Sequence, residues 1–164
     1  KVTFVAENSA SGYRLPKTIL SREFGLEAGK DYSFDFSGRQ DNSVVGVANG
    51  VYEVAPAAND VRLKLLRDKM IDATALRVIY TSPVMPYSPW GVSHRLNPAL
   101  ATRIRDAFVS YDGPMDVLEK VNVSHAADNK NNWVPTRYRA ADYKADWTFM
   151  RELSAASGTT PKCR

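Results

Sequence analysis

ENSASGYRLP, residues 7–16, sets small and hydroxylated side chains and one glycine between two stretches of different periodicity. Before it, KVTFVA at 1–6 is short, apolar and β-branched, the pattern of a buried strand. After it, GYRLPKTILSREFG at 12–25 puts Leu15, Ile19 and Leu20 near helical spacing and stops at Gly25, which suits a C-cap. NSASG is therefore a strand-to-helix turn, and two roles fit it. Ser9 or Ser11 can cap the helix by accepting from a backbone N–H of its first turn. Alternatively the turn receives an anion, because unpaired N–H groups and the positive end of the helix dipole favour negative charge and hydroxyls add donors. Spacing alone leaves both open.

The same alternation continues downstream. YSFDFSG at 32–38 alternates Tyr32, Phe34 and Phe36 with smaller residues, a strand period. RQDNSVVGVANG at 39–50 predicts a short helix ending at Gly50, capped by Asp41, Asn42 or Ser43, with Val44, Val45, Val47 and Ala48 facing inward. VYEVAPAA at 51–58 predicts a strand. NDVRLKLLRDKM at 59–70 predicts a helix starting at Asn59 or Asp60 with Leu63, Leu65 and Leu66 on its apolar side, and ALRVIYTSP at 75–83 a further strand. Strands and helices alternating in this way build an α/β sheet with mainly parallel strands.

From residue 82 the character changes. SPVMPYSPWGVSHRL, with prolines at 83, 86 and 89 and another at 98, predicts an extended crossover in which WGVSH at 90–94 supplies one strand. NPALATRIRDAFVSY at 97–111 predicts a helix capped by Asn97, with Pro98 in the first turn and Leu100, Ile104, Ala107 and Phe108 as the stripe. A small helix over 113–121, a loop over 122–135, a last amphipathic helix over 140–158 carrying Tyr143, Trp147, Met150 and Leu153, and a frayed tail complete the expectation.

With 164 residues, 44% of them hydrophobic and 24% charged, the chain has the composition of one globular domain or two small lobes. No run approaches the length of a membrane span and no leader opens the sequence; a start at Lys1 rather than Met suits a processed chain or an excerpt. The net charge of +4 is mildly basic. WVPTRYR, around Arg137 and Arg139, interleaves cations with aromatics but carries no ribonucleoprotein or zinc-finger signature, so it reads as a solvated face and no nucleic-acid partner is expected. Cys163 stands alone, and His94 and His125 are the only histidines, which leaves no disulfide and a poor supply for a metal site. NVS at 122–124 fits the glycosylation pattern, a motif short enough to arise by chance.

In open α/β sheets ligands gather at the carboxyl ends of the strands. Three turns fall there: NSASG, SGRQDN at 37–42 and AAND at 57–60. They offer hydroxyls, amides and a few carboxylates, with Arg39 the only cation, which suits a small polar ligand held by hydrogen bonds. Catalysis is poorly served. No carboxylate pair stands at acid/base spacing, NSASG is not the G-x-S-x-G elbow, and no base lies beside either serine, so an esterase- or phosphatase-like use of Ser9 or Ser11 has little support. Asp35 and Asp41 read as surface or cap residues rather than metal ligands.

The ordered series NSASGYRLP, FSGRQDNSVVGVANG, AAND and RVIYTSPVMPYSPWGVSHRLNPAL resembles the second lobe and returning crossover of periplasmic phosphate, phosphite and phosphonate binding proteins, the type II receptors of ABC importers. That family has S-T-S-G-Y/F in the first turn, G-x-H-D/Q-A followed by V-A-N-G in the second, and an SP-x-x-P-x-D-P crossover; the resemblance runs over about residues 2–108. It implies that Ser9, Ser11 and the amides of Ala10 and Gly12 hold ligand oxygens, with Ala10 standing where the family often has Thr. Arg39 belongs to the same ligand-binding set. Gln40 stands where a His commonly contacts the oxyanion. Asp60 matches an acidic position that faces the ammonium of aminoethylphosphonate, and Ser88 stands where those binders have a second carboxylate, which weakens the case for an aminoalkyl ligand.

The fold so implied is an α/β periplasmic-binding-protein-like lobe, a mainly parallel sheet flanked by helices over 1–88. A crossover and helical segment over 89–164 follows, belonging to or packing on the other lobe. The expected protein is a non-enzymatic, periplasmic or membrane-associated extracytoplasmic receptor without cofactor or metal. It binds a small phosphorus oxyanion and docks on an ABC permease, its missing N-terminal lobe supplied by more chain or by another copy. The alternative is a sensory module that uses the same anion-binding lobe to signal to a partner protein, with the segment around Trp133 and Tyr138 as contact surface.

Overall fold

A computed structural model describes residues 1–86, 89–114, 125–127, 133–135 and 137–156. It divides into two compact units, the first formed by Lys1–Pro83 with the last helix from Glu152, the second by Val84–Arg151.

The first unit is built around β1 (Val2–Phe4), which pairs in parallel with β2 (Phe34–Phe36) in the register Val2 to Phe34, Thr3 to Asp35 and Phe4 to Phe36. On its other side β1 makes a parallel bridge from Val2 to Val54, with Thr3 N–H donating to Val54 O (2.9 Å). The stretch expected as a third strand contributes that bridge alone, and Pro56, which has no N–H to donate, follows two residues later. Helices α1 (Leu15–Phe24), α2 (Gln40–Ala48) and α3 (Asn59–Arg67) follow the three turns. The result is a small, mainly parallel sheet mixed with helices, an α/β arrangement.

The core of this unit takes one or two residues from each element. Thr3, Phe4 and Val5 on and after β1 are buried with Leu15 and Ile19 of α1, Ser43 and Val44 of α2, and Leu63 of α3; Leu153 on the last helix is buried too. Phe4, with no exposed surface, is packed edge-on by Tyr13 (5.0 Å between ring centres) and Phe34 (5.7 Å), so the alternating aromatics of β2 build a cluster over β1. Gly25 ends α1 in the left-handed conformation (φ 66°), as expected. Gly46, in the middle of α2, is dictated by packing: a Cβ there would lie 2.2 Å from the Tyr52 ring.

Several expectations are corrected. Helix α2 begins at Gln40 with Arg39 as its N-cap residue, and no side chain caps it, so Asp41, Asn42 and Ser43 lie inside the first turn. ALRVIYTSP forms no strand: after a short 3₁₀ turn at Ala73–Ala75 Leu76 is extended (φ −126°, ψ 139°), but the stretch makes no ladder hydrogen bond among the described residues, leaving Val78 57% and Ile79 66% exposed. The strand pattern is present, but a strand exists only where a neighbour pairs with it.

In the second unit, α4 (Pro98–Val109) starts as expected, Asn97 Oδ1 accepting from Ala99 N–H (2.9 Å) and Leu100 N–H (3.4 Å). Phe108 on α4 meets Trp90 (5.4 Å) and Tyr138 (5.2 Å). WGVSH is not a strand. The stretch expected as loop instead contains β3 (His125–Ala127) and β4 (Trp133–Pro135), paired antiparallel. The small helix expected over 113–121 and the NVS motif lie largely or wholly outside the described residues.

The expected single helix over 140–158 is two, α5 (Tyr143–Asp146) and α6 (Thr148–Ala156). The Arg151 guanidinium donates to the carbonyls of Tyr143 and Lys144, which a continuous helix would offer to Trp147 and Thr148 N–H. The basic patch is likewise occupied. Arg137 donates to Tyr111 O (2.6 Å) and Asp112 O (3.4 Å), and Arg139 pairs with Asp146 (2.6 Å), whose carboxyl is thereby held below the usual range.

Because the ring of Tyr52 lies against the Gly46 backbone, Gly46→Ala lowers unfolding stability by about 1–3 kcal/mol. Tyr52→Ala in the same chain relieves the clash, so the double variant is more stable than the sum of the singles, as measured by urea unfolding.

Candidate functional site

The three turns leave the sheet at one end because the strands run parallel. Past β1, Ser37 N–H donates to Phe4 O (2.8 Å), Gly38 N–H to Val5 O (2.8 Å) and Val5 N–H to Gly12 O (2.9 Å), so the first two turns are anchored on adjacent backbone groups.

The first turn is a π-helical loop, Ala10–Arg14, running into α1. Its geometry follows from Pro16. In an α-helix the N–H of residue 16 would bond Gly12 O, but proline has none, and Gly12 O instead accepts from Val5 N–H. The bonds Arg14 N–H to Ser9 O and Leu15 N–H to Ala10 O then span five residues. Gly12 is fixed by space, since a Cβ would lie 2.3 Å from Val5 Cγ2. Ser9 is the cap: its Oγ accepts from Gly12 N–H (3.0 Å). Ser11 does not cap.

The second turn is a knot of small polar groups. Ser37 Oγ and Ser43 Oγ are 2.6 Å apart, both lie within reach of Arg39 O, and Asn42 Nδ2 donates to Ser37 O (3.0 Å). Ser43 is fully buried. Ser37 is not singled out by the sequence and Ser43 only as a cap candidate, because short polar residues in a turn carry no sign of which one points inward. Arg39 points outward, its side chain 74% exposed and its Nε on Asp41 Oδ1 (3.0 Å); this contact holds the Asp41 carboxyl below its ordinary range.

Gln40 joins the turns. Its Nε2 donates to Ser11 Oγ in the first turn (2.7 Å), and its Oε1 accepts from Ala58 N–H at the start of α3 (2.8 Å). Asp60 is half-buried in the first turn of α3, while Asn59 Oδ1 turns back to Arg62 (2.9 and 3.0 Å). Each turn also presents first-turn amides, those of Ala10 and Ser11, Gln40, and Asn59 and Asp60, that have no acceptor among the described residues. Serine hydroxyls and helix N-termini that share one bridging side chain form a surface of hydrogen-bond donors, suited to an anion with several oxygens.

A family model described as ABC transporter, phosphonate, periplasmic substrate-binding protein matches residues 1–134. The chain belongs to that family. It is thus a periplasmic substrate-binding protein of the phosphonate class, with a small-molecule ligand and an ABC permease as its partner. In this phosphonate-binding protein Ser9, Ala10, Ser11, Gly12, Gln40 and Asp60 all sit on the turns that Gln40 links, Arg39 is turned toward solvent, and Ser88 lies outside the described residues. The contribution of Ala58 was missed, because it acts through its backbone.

Loss of the cap in Ser9→Ala lowers unfolding stability by about 1 kcal/mol. Ser11→Ala, which removes no cap, lowers it less. Thermal unfolding of the two variants side by side measures the difference.

Proposed function

We propose that this chain captures a small phosphorus oxyanion on the three linked turns and presents it to the permease, without chemistry on the ligand. The observation that carries the reading is the linkage of the turns by Gln40, whose side-chain amide on the second turn bonds a hydroxyl of the first and a backbone N–H at the start of the third helix. In this reading Ser9 and Ser11 donate their hydroxyl protons to ligand oxygens and the amides of Ala10 and Ser11 lie beside them, while Gly12 N–H holds Ser9 Oγ in place. Arg39 contributes at long range only, its charge being shared with Asp41.

Asp60 selects among ligands. A carboxylate beside an oxyanion repels it, whereas the same carboxylate attracts a ligand that carries an ammonium group. With Ser88 in place of a second carboxylate, the set favours phosphite, phosphate or methylphosphonate over an aminoalkyl phosphonate. The opposite wall of the cleft comes from chain N-terminal to Lys1 or from another copy, and closure on the ligand is a hinge motion through the proline-rich crossover.

A thermal-shift panel of phosphate, phosphite, methylphosphonate, aminoethylphosphonate and sulfate tests this, since a ligand that binds only the folded chain raises its apparent stability. At least one phosphorus oxyanion is expected to stabilise the wild type, and Ser9→Ala with Ser11→Ala to abolish the shift. A wild-type response to none of them sinks the reading. Asp60→Asn is expected to strengthen binding of the simple oxyanions and weaken that of aminoethylphosphonate; equal changes for both classes would place Asp60 away from the ligand.

A further inference from the structure

The amide of Gln40 has a fixed polarity. A backbone N–H only donates, so the Gln40 atom 2.8 Å from Ala58 N is the carbonyl oxygen. The atom 2.7 Å from Ser11 Oγ is then the NH₂ group, which only donates, and Ser11 Oγ accepts along that line. Flipping the amide would set two donors face to face at Ala58 and leave a half-buried N–H unpaired. The hydroxyl proton of Ser11 must therefore point elsewhere, and it meets no acceptor among the described residues.

We propose that Gln40 is a positioning residue that locks Ser11 as a hydrogen-bond donor toward the ligand. It carries the direction of a backbone amide on the third turn to a hydroxyl on the first, across sequence separations of 18 and 29 residues. A serine with no such neighbour rotates among orientations, some of which aim lone pairs at an incoming anion and repel it. With Oγ already accepting from Gln40, the orientations that aim the proton at Gln40 are lost, so fewer remain and ordering the donor toward the ligand costs less on binding. The inference rests on the oxyanion reading of the site and adds that Gln40 acts through Ser11 rather than as an independent ligand contact.

A double-mutant cycle on the full chain decides it. Affinities for inorganic phosphate, phosphite and methylphosphonate are measured by titration calorimetry for wild type, Gln40→Met, Ser11→Ala and the double variant, and the cycle is read on the tightest of the three. Each single change is expected to weaken binding by about ten- to a hundredfold, the worth of a hydrogen bond to a charged group. The double is expected to fall within about threefold of Ser11→Ala alone, because Gln40 has nothing left to orient. Losses that multiply overturn the proposal and make Gln40 a contact in its own right; an unweakened Gln40→Met overturns it as well.

Gln40→Glu covers the case in which Gln40→Met does not fold. It keeps an acceptor for Ala58 N–H but draws the Ser11 proton to itself, so its loss is expected to be larger with Ser11 present than in the Ser11→Ala background. The same loss in both backgrounds is plain charge repulsion and overturns the proposal. A wild type that binds none of the three anions overturns the oxyanion reading itself, whereas wild-type binding with an additive cycle overturns only the role of Gln40.

Discussion

Three residues of backbone, Val2–Phe4, carry the first unit. β1 is the central strand: β2 lies on one side, Val54 on the other, and the bonds Ser37 to Phe4 and Gly38 to Val5 carry the pairing one step past the strand end. Parallel neighbours deliver their following turns to one end of the sheet, and there the side chain of a single glutamine on the second turn reaches the first and the third. Without the β1 register, Phe34 and Phe36 lose their place beside Phe4, and the helix starts lose their common reference.

The chemistry of those turns is that of neutral donors. Hydroxyls and helix amides attract an anion through partial charges that are permanently oriented, which needs no buried lysine or arginine. Of the formal charges on the turns, Arg39 pairs with Asp41, Arg62 is held on Asn59, and Asp60 carries a negative charge. A receptor that must also release what it holds is served by many moderate hydrogen bonds in place of one desolvated ion pair, whose rupture is costly.

What the sequence disclosed was local. The turn after KVTFVA, the stop at Gly25 and the Asn97-Pro98 helix start each depend on residues within one turn of one another, and each is found where its pattern places it. The errors are non-local. ALRVIYTSP has every strand preference and no pairing partner among the described residues; the residues of β3 and β4 have little pattern and do have partners. Trp147 interrupts a good amphipathic stripe because Arg151 takes the carbonyls of Tyr143 and Lys144, a competition that periodicity does not register. Gln40 was visible as a residue of the second turn, but neither of its bonds was, since both partners are distant in sequence and one is a backbone amide.

The exposed stretch at Val78–Tyr80 has a consequence for how this chain behaves in concentrated solution. Its N-terminal neighbour is a 3₁₀ turn, and its far end is tethered where Tyr80 donates to Glu23 (2.7 Å) and stacks edge-on against Phe24 (5.8 Å between ring centres). Between these anchors the side chains of Val78 and Ile79 are exposed, and their backbone groups make no ladder bond among the described residues. β-branched residues with unpaired backbone are the sequence type on which a like segment of a second molecule can pair. Such a segment favours self-association through β-pairing, and a lysine or proline introduced between the two anchors is the natural gatekeeper against it.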